Sequence, residues 1–115
     1  MFTNTSVTTV KIEDLDAFCS SYTRAMQAVA GSAQSLVSAT VASFPCPEEQ
    51  GHVRVVNRTT WTTQPQATLM EELSRNPIAQ AYLSDMAAMM VGRASTQTET
   101  VHATVVGKAA ATHSK

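Results

Sequence analysis

The chain has 115 residues, of which 43% are hydrophobic and 15% charged, and eight basic against nine acidic side chains leave a net charge of -1. That length supports one domain, and the near balance of charge excludes a strong electrostatic case for nucleic acid or an anionic membrane as partner. Ala, Ser and Thr supply 44 residues, and a surface so rich in small side chains, with charge below the usual ~25%, implies cover by another subunit.

The opening MFTNTSVTTV has neither the basic nor the apolar stretch of a signal peptide. The longest charge-free run, 25–47, is broken by Gln and Ser and is too polar to span a bilayer. A soluble cytoplasmic protein is expected. Cys19 and Cys46 have no metal-type spacing and are expected to be free thiols.

Residues 2–11, rich in Thr and Val, predict a first strand. Glu13, Asp14 and Asp16 favour a helix start through the dipole. Leu15, Phe18, Cys19, Tyr22, Met26 and Val29 then recur at three- and four-residue steps, the stripe of an amphipathic helix. Residues 32–44 also fit a helical period. A helix over 13–44 would be ~48 Å long, however, too long for a domain of this size. Gly31 is a stop, and Val37, Ala39 and Val41 alternate with Ser38 and Thr40, so 33–43 is expected as the second strand.

A loop over 45–51 turns the chain back into a third strand, 52–63. Val53, Val55, Asn57, Thr59 and Trp61 share one face of it, and His52, Arg54, Val56, Arg58 and Thr60 the other. Thr68 and Glu71 form a capping box for a helix that is interrupted at Asn76 and restarts with Pro77 in its first turn. Ile78, Ala79, Tyr82, Leu83, Met86, Met89 and Met90 make its apolar face, and Gly92 ends it. Residues 96–106 alternate as a fourth strand, and 108–115 read as a flexible tail after one domain over 1–107. The order β-α-β-β-α-β predicts an α+β, ferredoxin-like fold: a four-stranded antiparallel sheet with both helices on one face. The other face, partly Thr and Val, would receive a second copy and give a homodimer.

This order resembles the dimeric α+β barrel proteins, and within them the antibiotic biosynthesis monooxygenase family. The residues that carry the resemblance are Ala30-Gly31 before the second strand and V-V-N-R-T-T-W at 55–61, followed by polar residues and a capped helix. The match runs over about 2–106. The haem-degrading branch of that family needs a histidine in the second helix, and 67–92 contains none. The resemblance is rather to the cofactor-independent anthrone oxygenases of aromatic polyketide biosynthesis. These carry an Asn four residues before the third-strand Trp, here Asn57 and Trp61, and another Asn in the first strand, here Asn4. Some of them also use a Tyr and an Arg where this chain has Ala67 and Ala81, so that variant of the site does not carry over. The resemblance implies catalytic roles for Asn57, Trp61 and Asn4, no cofactor, and a polycyclic aromatic substrate oxidised by O2 to a quinone.

The residues themselves allow this chemistry. An Asn on a half-buried strand is disfavoured, and a buried amide left unpaired costs roughly 1–3 kcal/mol. Asn57 is therefore either bonded to a loop backbone or a polar handle in an apolar pocket. Trp61 is either a core aromatic or a stacking surface with an N–H to donate. Phe18, Tyr22, Leu36, Met70, Leu73, Tyr82, Met86 and Met90 are candidate lining residues, the methionines serving either as core or against a flat ligand. His52, His102 and His113 lack metal spacing and no phosphate-binding glycine motif occurs. A polyketide cyclase or isomerase on the same scaffold, and a non-catalytic ligand-binding dimer, remain open at this point.

Overall fold

The computed structural model describes residues 1–46, 48–62 and 75–108. Its elements are β1 (Phe2–Lys11), a short 3-10 turn (Ile12–Asp14), α1 (Leu15–Ala30), β2 (Leu36–Pro45), β3 (His52–Trp61), α2 (Pro77–Met89) and β4 (Ser95–Thr100). The strands form one antiparallel sheet in the order β2-β3-β1-β4, the expected ferredoxin-like arrangement. The capping box at 68–71 lies outside the described residues.

Alternation decides which side chains face the helices. On β3 the inward set is Val53, Val55, Asn57, Thr59 and Trp61, as the sequence predicts. Cross-strand partners share a face, so β1 turns Phe2, Asn4, Ser6, Thr8 and Val10 inward. On α1 the stripe buries Phe18, Tyr22, Ala25, Met26 and Val29. Two apolar clusters result. One gathers Val10, Phe18, Tyr22, Ala25, Met26, Val55 and Met86; the other gathers Val29, Ala33, Trp61 and Ala79.

The third strand ends at Trp61 instead of 63, and two other strand boundaries shift by three residues or more. The second strand begins at Leu36 instead of 33. The end of α1 continues as a turn, in which the Ser32 and Ala33 N–H groups both donate to the Val29 carbonyl at 3.0 and 2.8 Å. β2 also carries an irregularity. Leu36 pairs with Trp61 and Ser38 with Thr60, which leaves Val37 as an extra, exposed residue. The fourth strand ends at Thr100 instead of 106. Its partner β1 pairs Phe2 with Thr100, and the Val101 N–H donates to the Met1 carbonyl at 2.8 Å.

Both cysteines are free. No described helix is long and apolar enough to cross a membrane. The outer sheet face, with Thr3, Thr5, Val7, Thr9, Thr40, Ala42, Arg54, Val56 and Arg58, meets no helix among the described residues.

Asn76 sets how α2 meets α1. Its Oδ1 accepts the Ala79 N–H at 3.0 Å as the helix cap, and its Nδ2 donates to the Ala28 carbonyl at 3.0 Å near the end of α1. One side chain therefore closes two helix termini. Asn76→Ala is expected to destabilise the fold by about 1–2 kcal/mol, read as a lower urea midpoint with an unchanged slope; an unaltered midpoint would show that the cap is dispensable.

Candidate functional site

The stretch of sheet between the two apolar clusters is polar. Asn4, Ser6 and Thr8 of β1 and Asn57 and Thr59 of β3 form its floor. Asn4 pairs directly with Thr59 and Ser6 with Asn57, so the two asparagines are diagonal neighbours, ~7 Å apart. Above them stand Phe18, Tyr22 and Met26 from α1, then Leu83 and Met86 from α2. Met90 and Ala94, on the segment between α2 and β4, complete the lining. That segment is stitched to the edge of β1. Met90 bridges to Val10, and the Val91 N–H donates to the Thr9 carbonyl at 2.8 Å.

The cavity lined this way measures about 210 Å³ and opens to one side. A cavity of ~150 Å³ already admits one benzene ring, so this one has room for more than a single ring. Its roof is apolar and deformable through three methionines.

The asparagines are the unusual feature of the floor. The Oδ1 atoms of Asn4 and Asn57 are both buried and have no hydrogen-bond partner. A buried unpaired acceptor costs ~1–3 kcal/mol, and native folds rarely keep one without a purpose. Both belong to a floor that meets an apolar roof, which is how a ligand site with a few fixed polar groups is built.

Tyr22 joins the two sides. Its hydroxyl donates to the Arg58 carbonyl on β3 at 3.3 Å. Burial pushes its pKa up to about 12, so the phenol stays protonated and remains a donor. No described lining residue carries a formal charge or a carboxylate. The site can bind, orient and hydrogen-bond a ligand.

The expected site residues divide by where the fold puts them. Asn4, Asn57, Phe18, Tyr22, Met86 and Met90 meet around the cavity. Trp61 shares the inward face but does not line it. The ring is fully buried between Val29, Ala33, Ala79 and Leu36, and its Nε1–H donates to Thr59 Oγ1 at 2.8 Å. Leu36 packs against that same cluster. Tyr82 turns aside to meet Arg24, whose guanidinium lies 6.0 Å from the ring centroid and donates to the Tyr82 hydroxyl at 3.5 Å. Met70 and Leu73 lie outside the described residues. Among the described residues, no three His, Cys, Asp or Glu side chains are grouped to hold a metal ion.

Ser6, Thr8, Met26, Thr59, Leu83 and Ala94 line the cavity without having been anticipated as lining. The two-residue steps Asn4-Ser6-Thr8 and Asn57-Thr59 are the pattern that identifies the polar ones.

No family model matches the chain, and no curated protein does. Solved structures do match. The monooxygenase ActVA-Orf6 of Streptomyces coelicolor, in complex with nanaomycin D, superposes with a TM-score of 0.67 at 13% identity, over 93% of this chain and 92% of that one. A variant of SnoaB, a cofactor-independent oxygenase of Streptomyces nogalater, gives 0.61 at 15% identity, over 90% and 95%. The chain shares their fold. A protein of Arabidopsis thaliana also gives 0.61, at 8% identity over 92% and 100%, and likeness at such low identity fixes architecture alone.

The unpaired amide on β3 has a direct energetic consequence. Asn57→Leu, which removes the orphaned acceptor, keeps the branched shape and fills open space in the cavity, is expected to raise the unfolding free energy by ~1 kcal/mol. A chemical denaturation curve checks it, and a clear loss of stability would mean that the amide is paired after all.

Proposed function

We propose that this protein is a cofactor-independent monooxygenase of the antibiotic biosynthesis type, which oxidises a polycyclic aromatic polyketide anthrone to a quinone with O2. The observation that carries the reading is the pair of inward-facing amides, Asn4 and Asn57, set diagonally on the floor of an otherwise apolar cavity. The shared fold with ActVA-Orf6 and SnoaB supports it. So does the N-R-T-T-W stretch at 57–61, whose Asn and Trp share a strand face.

The chemistry asks little of the protein. Oxygen reacts slowly with closed-shell molecules, which is why most oxygenases employ a metal or a flavin. An anthrone ionises at its ring methylene to an electron-rich enolate that can pass one electron to O2 itself. Combination of the two radicals forms a carbon–oxygen bond and a peroxide, which regains the methylene proton. Cleavage of the O–O bond with loss of the second methylene hydrogen then releases water. The sum is CH2 plus O2 to C=O plus H2O. The Oδ1 atoms of Asn4 and Asn57 serve to accept from ligand hydroxyls and their Nδ2–H groups to donate to the oxygen that becomes anionic, while Phe18, Met26, Met86 and Met90 hold the rings and keep water away.

A second copy belongs to this reading. The outer sheet face carries small and β-branched side chains beside Arg54 and Arg58, and no described helix covers it. Two such faces packed together give a homodimer, the remaining partner of the chain besides substrate and O2.

Metal-free protein in the presence of a chelator is expected to consume O2 when given a tricyclic anthrone, with kcat/KM about tenfold lower in Asn57→Ala. Product formation without O2 consumption would point to a cyclase, and no turnover at all would end the enzymatic reading. Sedimentation is expected to report about twice the 12.3 kDa of the chain; a monomer would contradict the dimer.

A further inference from the structure

The only tryptophan of the chain lies next to the cavity and does not open onto it. Its Nε1–H is already used, donating to Thr59 Oγ1 at 2.8 Å within the protein interior. The position of Thr59 is different. It lines the cavity beside Asn57 and opposite Asn4, and is itself almost fully buried. A threonine hydroxyl has one proton to donate and two lone pairs to accept with. The indole occupies one lone pair. Its approach turns the hydroxyl so that the proton points away from the indole nitrogen.

We infer that Thr59 is a substrate-binding residue, and that Trp61 acts on the ligand only through it. Thr59 donates its O–H to an acceptor oxygen of the ligand, a carbonyl that becomes an enolate oxygen on ionisation. The indole N–H polarises that hydroxyl and fixes its direction, so Trp61 is a positioning residue. This rests on the reading of the cavity as the substrate site, and it specifies what the substrate must present there. An aromatic hydrocarbon of the right shape would fill the roof without satisfying the floor. A fused-ring ketone that also carries a phenolic hydroxyl would do both, its carbonyl accepting from Thr59 and its hydroxyl donating to an orphaned amide oxygen.

Chains of hydrogen bonds in a low-dielectric interior strengthen one another. A hydroxyl that accepts from an N–H is therefore a better donor than a lone threonine. It is also held in one direction by the packing of the indole against Val29, Ala33, Ala79 and Leu36. The arrangement places a fixed donor where negative charge develops, and it needs no reorganisation during the reaction.

Calorimetric titration of the full chain with a hydroxyanthraquinone, and with anthracene as the oxygen-free control, tests this. Thr59→Val is expected to weaken the quinone about tenfold and leave anthracene within about twofold, and Thr59→Ser is expected to restore most of the loss. Trp61→Phe is expected to weaken the quinone in the parent and to add nothing in the Thr59→Val background. Should Thr59→Val not fold, Thr59→Ala carries the same comparison. Unchanged quinone affinity in Thr59→Val overturns the inference. So does an equal loss for both ligands, or a Trp61→Phe loss of the same size in both backgrounds, which would mean that the indole reaches the ligand directly. Binding is measured without turnover. The expected Thr59 pattern with no O2 consumption therefore removes the oxygenase reading alone, O2 consumption with unchanged binding in Thr59→Val removes this inference alone, and a parent that binds neither ligand overturns both.

Discussion

Ser6 stands opposite Asn57, and Asn4 opposite Thr59, because β1 and β3 run antiparallel in unbroken register from Phe2 against Trp61 to Lys11 against His52. Side chains paired in this way must lie on one face. A slip of β1 by a single residue would send Asn4 and Ser6 to the outer face and bring Thr3 and Thr5 inward. The valines that flank them hold the register, since Val10, Val53 and Val55 belong in the core and Thr5 and Arg58 do not. The same apolar burial that specifies the sheet thus specifies the site.

The cost of that arrangement is visible in the packing. A sheet face covered by two helices would ordinarily be apolar from end to end. Here the apolar contacts separate into a cluster around Phe18, Val55 and Met86 and another around Trp61 and Val29, and the polar floor lies between them. A chain of 115 residues has little core to spare. Leaving its middle open, with two unpaired amide oxygens, reduces the burial that holds the fold. Asn76, tying the start of α2 to the end of α1, offsets part of this away from the cavity.

How much of this could be read from the residues depends on how local the determining contact is. The period of Phe18, Tyr22, Met26 and Val29 locates α1, since a helix stripe is written every three or four positions. The alternation on β3 gives its inward face for a similar reason. β4 is different. Its alternation runs on past Thr100, and its pairing is decided by β1, some hundred positions earlier in the chain. β1 is less legible still, because Thr and Val occur on both of its faces and no hydrophobic contrast marks the inner one. For that reason Ser6 and Thr8 were not anticipated, whereas Asn4 stood out by residue type. Alternation likewise places Trp61 on the inner face but says nothing of its neighbours. Whether an indole meets a ligand or Val29 and Ala79 is settled by α1 and α2, and neither is near it in sequence.

The position of Trp61 also bears on why an Asn and a Trp four apart on a strand would work together. They lie ~13 Å apart along the backbone, too far for both to touch one oxygen of a ligand. The residue midway between them on the same face is Thr59. It can take the indole N–H on one side and present a donor next to the amide on the other. With Thr59 between them, the two residues converge on one spot of the floor, and the indole stays packed in the core, where its area stabilises the fold. Without a hydroxyl at that position, burying the indole N–H would leave a donor unpaired, and exposing it to the cavity would open the second apolar cluster. Thr59 reconciles a packed core with a functional floor.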